Sequence, residues 1–486
     1  MLQNYNTSGS PSGSGCLLYD WEKSKLKALK QKKKTYKVYK RRYYMLMVYG
    51  WVTLFNAGCR VNVQSIRALV RELYGANHID TQIISAMYAA LFLPGVIVAT
   101  IWYNKWSIRT GLIIGAALQA FGAGAKWLIG YGFYWVYIGQ AFWALANPFI
   151  NLLPACLATT WFEDSKRILA ITVAASFNTL GVADGYGLSH WSVDDHESAS
   201  DSELKHEIIR ILVIYLIVGA IILLVVIFTF QGEPKVPPSS TSTVFRDDDI
   251  IGTYRELWMN RNFILLTMSH VLYYTTISSM IINFPSIATI FDLDRVQKDL
   301  ILIWFVSWGF IGSITLGLFI YKTNKYRTSN ILIGILGGLT ILTFIGTLQM
   351  GFSWVLVSAA LSGFCIFPAL TNWFIYSSEI VYPLRETTSS GVFLVWAEIF
   401  GTFFAYLFWF FIQGVDSRIV SIVWFACMAG FLFIGSIIAW TMKPINHDRA
   451  DEVKNVVSGS FVQAKAANGA YNINHTNDEV STVISN

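Results

Sequence analysis

The chain has 486 residues, of which 54% are hydrophobic, 15% aromatic and only 14% charged, with a formal net charge of +6. A soluble protein carries about 25% charged residues, so a water-soluble globular chain is excluded. The apolar residues come in blocks: "IIRILVIYLIVGAIILLVVIFTF", residues 208 to 230, holds one charge near one end, and about 20 apolar residues cross a bilayer.

In chain order, residues 1–43 read as a Ser/Gly-rich and then basic tail, with no apolar core of a cleavable signal peptide. Twelve apolar spans follow, at 44–69, 80–103, 109–129, 134–160, 168–189, 208–230, 262–289, 299–321, 328–349, 353–378, 387–412 and 418–441. They divide into an N-terminal six-helix bundle, 44–230, and a C-terminal one, 262–441. The stretch between them, 231–261, is rich in Pro, Ser, Thr and charge and reads as a cytosolic linker. Residues 442–486 read as a second polar tail.

Charge asymmetry sets the expected orientation. Residues 23–42, "KSKLKALKQKKKTYKVYKRR", hold eleven Lys and Arg directly before the first span, and Lys105, Lys166, Arg167, Lys322, Lys325, Arg327 and Arg385 fall in loops on the same side. The opposite loop "HWSVDDHESASDSELKHE" is acidic. The positive-inside rule then places both termini in the cytosol, of either the plasma membrane or an organelle. The basic run reads as a topology signal and a contact for anionic lipid rather than a nucleic-acid patch. Asn6 and Asn474 match the glycosylation sequon but lie in the two tails. The five cysteines are isolated, so neither a disulfide framework nor a metal set is expected. His190, His196 and His206 read as part of a solvated loop. No nucleophile, base and metal ligands converge, so an enzyme, a cofactor and a metal are not expected.

The two halves repeat weakly at an offset of 220 residues: Pro148 falls on Pro368, Phe162 on Tyr382, Gly181 on Gly401 and Asn178 on Glu398. A repeat of six spans is a mark of transporters built from two bundles about a central site. Spans 3, 6, 9 and 12 are the plainest. Spans 1, 4, 5, 7, 10 and 11 carry the polar residues and should line the interior, because polar groups facing lipid are costly. This pattern resembles the major facilitator architecture, an all-α membrane fold of two pseudo-symmetric bundles.

Two stretches carry a closer resemblance. "GQAFWALANPFINLLPACLATTWFEDSKRILAITVAASFNTLGVADG" covers residues 139–185, and "EIVYPLRETTSSGVFLVWAEIFG" covers 379–401. With "FNAGCRVNVQSIRALVRELYG" in span 1, they resemble the feline leukaemia virus subgroup C receptor-related transporters, solute carrier family 49. The family's signature is carried here by Glu379, Ile380, Tyr382, Pro383, Glu386, Thr388, Ser389, Ser390 and Gly391. The resemblance spans roughly residues 41–442. It implies a plasma-membrane or organellar carrier of small organic solutes of the choline, ethanolamine, haem or pyridoxine type; a monomer is expected. It also implies departures. The loop after span 2 reads "NKWSIR", with Asn104 and Trp106 where relatives have an acid and an arginine, and Tyr321 stands where the matching loop expects an acid. A transporter-like receptor or structural subunit is the alternative that these departures favour. Relatives carry a cargo-facing tryptophan at the position of Arg60 and a glutamine at that of Glu398.

Arg60 therefore disfavours a simple choline site: a tryptophan face attracts quaternary ammonium, whereas a guanidinium repels it. Depth allows Arg60 two roles, a structural pair with Asp184 on span 5 or a cavity-facing group that binds a carboxylate or phosphate. Arg67, seven residues on, reads as an interfacial anchor. Glu398 lies near the midplane, where burial disfavours a charged carboxyl; it either exchanges a proton during transport or stands in for the glutamine. His270 is either a proton relay or a packing residue. Of Tyr273 and Tyr274 in "HVLYYTTISSM", Tyr274 is the candidate cavity group, although the position aligned with the relatives' aromatic cage is Ser278. On span 4, Trp143, Asn147 and Asn151 share a face, as do Asn372, Tyr376 and Glu379 on span 10. These polar residues flank Pro148 and Pro368 and either bind solute or hold helices together. Asn178 joins them through the repeat.

Overall fold

A computed structural model describes residues 36–65, 73–74, 78–192, 201–239, 242, 250–382, 384–412 and 417–443. Among these residues the chain is helical and carries no strand. The helices are α1 (Arg41–Ser65), α2 (His78–Lys105), α3 (Ile108–Trp127), α4 (Tyr134–Asn151), α5 (Leu153–Trp161), α6 (Asp164–Ser192), α7 (Asp201–Thr229), α8 (Ile250–Met259), α9 (Arg261–Ile290), α10 (Arg295–Thr323), α11 (Tyr326–Thr347), α12 (Phe352–Ile366), α13 (Pro368–Ile380), α14 (Glu386–Ile412) and α15 (Ser417–Trp440). Among the described residues, ten rods are long and apolar enough to cross a membrane. The α4–α5 and α12–α13 pairs each form one of these rods, and α1 and α2, of 25 and 28 residues, complete two sets of six.

Local sequence explains the boundaries. Ser107 accepts from Arg109 N to cap α3, and Asn260 accepts from Phe263 N to cap α9, supplying partners for amides that a helix start leaves unmet. Asn324 ends α10 in the left-handed region, with φ 53°, which Asn tolerates well. The breaks between α4 and α5 and between α12 and α13 fall where prolines accumulate. Pro368 starts α13 directly. On the other rod the break comes at Leu152, one turn beyond Pro148, and Pro154 then sits in the first turn of α5. Pro is well tolerated there because its missing N–H has no helical partner to lose.

The halves repeat each other contact by contact. In the first, α1 packs on α6, α2 on α4 and α3 on α7; in the second, α9 packs on α14, α10 on α12 and α11 on α15. Gly181 of α6 lies so close to α1 that a Cβ would stand 2.1 Å from Leu54 O, and Gly401 of α14 meets Tyr274 and Ser278 of α9. Small residues at such crossings let membrane helices approach. Arg109 donates to Ile227 O at the end of α7, and Arg327 donates to Trp440 O at the end of α15, placing a cation at each helix C-terminus where the macrodipole favours it. Between the halves, α6 packs on α10 and α2 on α14, two pairs that exchange under the same twofold relation.

Two expectations are corrected. The stretch 231–261 is not only a linker: it contains α8, whose Leu257 is buried and whose Trp258 ring lies 6.3 Å from that of Trp396 on α14. Span 3 is not plain either. Lys126, near the end of α3, has 0% exposure, donates to Cys59 O at 3.3 Å and lies 3.5 Å from the Trp143 ring. Pro383, Arg67, His196, Asn6 and Asn474 lie outside the described residues, as does the basic segment up to residue 35.

Candidate functional site

The site starts from how α1 is held. Gly58 of α1 faces α6: its Cβ position is 3.1 Å from both Gly181 O and Asp184 Oδ2, while a Cβ on Gly185 would come 2.5 Å from Gly58 O. Successive helical residues turn by about 100°, so Arg60 points about 200° away from Gly58 and leaves α6 behind it. That rotation decides its partner. Arg60 Nη1 lies 3.6 Å from Glu398 Oε1 on α14 and 3.5 Å from the Tyr274 hydroxyl on α9. Tyr274 donates to Glu398 Oε1 at 2.6 Å.

Of the roles left open for Arg60, the structure shows contact with Glu398 and Tyr274 of the other half, while Asp184 lies on α6, the side of α1 that Gly58 faces. The triad joins the N-terminal half to two helices of the C-terminal half. The Glu398 side chain is 5% exposed and that of Arg60 31%, so the carboxylate is deep while the guanidinium stays half open. Side chains on a helix lean toward its N-terminus. Arg60 therefore reaches back from about 28 Å along α1 toward Glu398, which lies about 18 Å along α14.

The asparagines form a second polar array within the N-terminal half. Asn178 Nδ2 donates to Asn151 Oδ1 at 3.2 Å, and Asn151 Nδ2 donates to Asn147 Oδ1. Asn151 and Asn178 are half-buried and Asn147 is buried. The array links α4 to α6.

The remaining candidates lie within the C-terminal half. His270 is 1% exposed, ringed by Tyr273, Trp373 and Phe393. Its Nδ1 is 3.0 Å from Leu266 O, and its Nε2 is 3.4 Å from Asn372 Nδ2. A carbonyl only accepts, so Nδ1 carries the proton and Nε2 accepts from the Asn372 amide. His270 is thus enclosed by aromatic rings and held by the Leu266 carbonyl and the Asn372 amide. Asn372 and Tyr376 are both 0% exposed, and Tyr376 stacks on Tyr326 at 5.6 Å. The structure therefore brings Arg60, Tyr274 and Glu398 together, and joins His270 to Asn372. Tyr376 sits apart from both groups. Asp184 is exposed beside α1, and Glu379 is half-buried at the end of α13.

The signature residues do something different: they seal the end of the body where α1 and α14 begin. Thr159 donates to Glu386 Oε1 at 2.9 Å, Asn104 Nδ2 donates to Thr388 Oγ1 at 3.3 Å, and Arg385 Nη1 donates to Tyr103 O at 3.3 Å. Gly391 lets α2 approach, since a Cβ there would lie 2.8 Å from Thr100 Oγ1. Ser390 and Tyr382 are buried beside this seam. Asn104 makes a neutral link at this seam. Farther from this end, Tyr186 on α6 donates to Ile281 O on α9 at 3.4 Å. The halves are thus tied at three levels, with the Arg60–Glu398 pair at the centre. Thr159 and Lys126 were not singled out by sequence. A lone lysine inside "GAGAKWLIG" was the available signal for Lys126; Thr159 gave none.

Two six-helix halves related by a twofold, with an ionic pair at their central seam, are the architecture of a membrane transporter built from two bundles. The chain belongs to the Major Facilitator Superfamily, which it matches over residues 50–405. The resemblance carried by the two motifs is borne out. Over 386 residues the chain is 27% identical to the choline/ethanolamine transporter FLVCR2 of Homo sapiens, covering 76% of this chain and 71% of the relative. It is 26% identical over 423 residues to the choline/ethanolamine transporter flvcr2a of Danio rerio, covering 84% and 87%. Among solved structures, the fold is similar to the transporter FucP in the outward conformation, with a TM-score of 0.63 at 13% identity, covering 81% of this chain and 98% of that one. An inward-facing bacterial homologue of the lysosomal transporter Spinster matches with a TM-score of 0.57 at 13% identity, covering 85% and 100%.

Proposed function

We propose that this chain is a secondary carrier that moves a small organic solute across a membrane by alternating access, acting as a monomer. The observation that carries the reading is the link from Arg60 to Tyr274 and Glu398, an ionic contact between the halves at mid-depth. A charge pair there is costly unless it borders a solute path, and rocking of the halves must break it in every cycle. Two events release it: a solute that competes for either member, or a proton on Glu398 that cancels its charge. The seal formed by Thr159, Glu386, Asn104 and Thr388 closes one end of that path.

The named relatives are choline/ethanolamine transporters, but Arg60 disfavours choline as such. Two unit charges about 4 Å apart at an effective dielectric near 20 repel by roughly 4 kcal/mol, about a thousandfold in affinity. The Lys/Arg asymmetry supports a cytosolic position for both termini, and the charge of segment 23–42 suits it to anionic lipid. The test is uptake of a panel of radiolabelled small solutes by proteoliposomes holding the purified chain. Saturable uptake with counterflow is expected; its absence for every solute, with the protein folded, favours a receptor or structural subunit.

A further inference from the structure

Among the described residues, four formally charged groups lie around the Gly58–Arg60 turn of α1. Arg60 and Lys126 are positive, the latter bonded to Cys59 O. Glu398 and Asp184 are negative, one paired with Arg60 and the other beside Gly58. Their formal sum is zero. The central pair is also split, its cation on one half and its anion on the other, with a separation of 3.6 Å. This is longer than the 2.7–2.9 Å of a tight charge-assisted hydrogen bond.

Splitting has a consequence for cargo. A solute that enters between the halves separates Arg60 from Glu398. If the solute is a cation, it answers Glu398 and leaves Arg60 with a like charge beside it. If it is an anion, it answers Arg60 and leaves the deeply buried Glu398 without its cation. A buried charge that loses its partner is strongly unfavourable. A neutral solute leaves both unanswered. Only a solute bearing one anionic and one cationic group replaces both interactions at once and keeps the local charge at zero.

We propose that Arg60 and Glu398 form a split receptor for a small zwitterion, Arg60 taking its anionic group and Glu398 its ammonium-type group. This rests on the carrier reading above and names the substrate class of the same site. Tyr274 stays beside Glu398 and offers its hydroxyl to the bound solute. Release of the solute lets Arg60 and Glu398 rejoin, so neither charge is left unpaired in the emptied site.

The test uses ligand-induced thermal stabilisation of the full chain in detergent, which needs no transport. The probes are the ω-amino acids from glycine to 6-aminohexanoate, with ethylamine, choline, acetate and butyrate as singly charged controls. At least one amino acid is expected to stabilise the protein at a concentration tenfold or more below every control. In the Arg60→Gln/Glu398→Gln double variant, which keeps the site neutral, that advantage should disappear while the unliganded protein stays monodisperse. If this variant misfolds, Glu398→Gln alone serves: zwitterion binding should weaken at least tenfold and anion binding strengthen. The proposal is overturned if choline or ethylamine matches the best amino acid, or if no amino acid stabilises the protein. Binding of butyrate that tightens at low pH and exceeds that of every zwitterion also overturns it, assigning an anion with a proton instead. Zwitterion binding without uptake in proteoliposomes would leave this inference standing and remove the carrier reading.

Discussion

Removing one member of the central pair gives the sharpest test of how the halves are held. At 3.6 Å and an effective dielectric near 20, the Arg60–Glu398 attraction is about 4–5 kcal/mol before desolvation. Arg60 keeps 31% of its side chain exposed, so water screens part of it, and a coupling of about 2 kcal/mol is expected. A double-mutant cycle over Arg60→Gln and Glu398→Gln measures that term directly. Thermal stability followed by size-exclusion chromatography with fluorescence detection is the assay. Each single variant should lower the midpoint by roughly 4 °C, at about 2 °C per kcal/mol for a large chain, and the double variant should lie well above the sum. Additivity within about 0.5 kcal/mol would mean that the two groups do not interact across the seam.

Three further outcomes are expected. Gly181→Ala drives a methyl group into Leu54 O, 2.1 Å from its Cβ position, and should destabilise by about 3 kcal/mol; Gly187→Ala, with nothing within 4 Å, should be nearly silent, and equal midpoints for the two would contradict the packing of α1 on α6. Thr159→Val takes one donor from the buried Glu386 and should cost about 1–2 kcal/mol, seen as a lower midpoint and as faster labelling of probes placed along the seam. In uptake assays, Arg60→Trp/Glu398→Gln should raise choline transport at least tenfold over the unaltered chain; no gain would remove Arg60 as the group that rejects choline.

Much of the fold was legible because its cause is one-dimensional. Twenty apolar residues cross a bilayer wherever they occur, and the repeat aligned Gly181 with Gly401, two residues that lie at close helix approaches in the structure. Arg60 and Glu398 were legible as costly groups that had to find company. What sequence did not give was the direction in which each points. Asp184 and Arg60 lie at comparable depth, yet the close approach of Gly58 to α6 turns Arg60 toward the other half. In the same way the i, i+4 spacing of Asn372 and Tyr376 put them on one face, but that face turned inward to His270 and Tyr326. Lys126 stayed hidden because a lysine near a span end reads as interfacial until its neighbours are known.

The most direct measurement of inter-half rocking is a reversible cross-link at the seam. Asn104 Nδ2 donates to Thr388 Oγ1 across it at 3.3 Å, so cysteines at both positions, in a chain whose five native cysteines are alanine, should be joined by a short reducible thiol-specific cross-linker. Cross-linked protein in proteoliposomes should bind its solute but not carry it, and a reductant should restore uptake. Uptake at the same rate with the bridge closed would contradict transport by separation of the two halves.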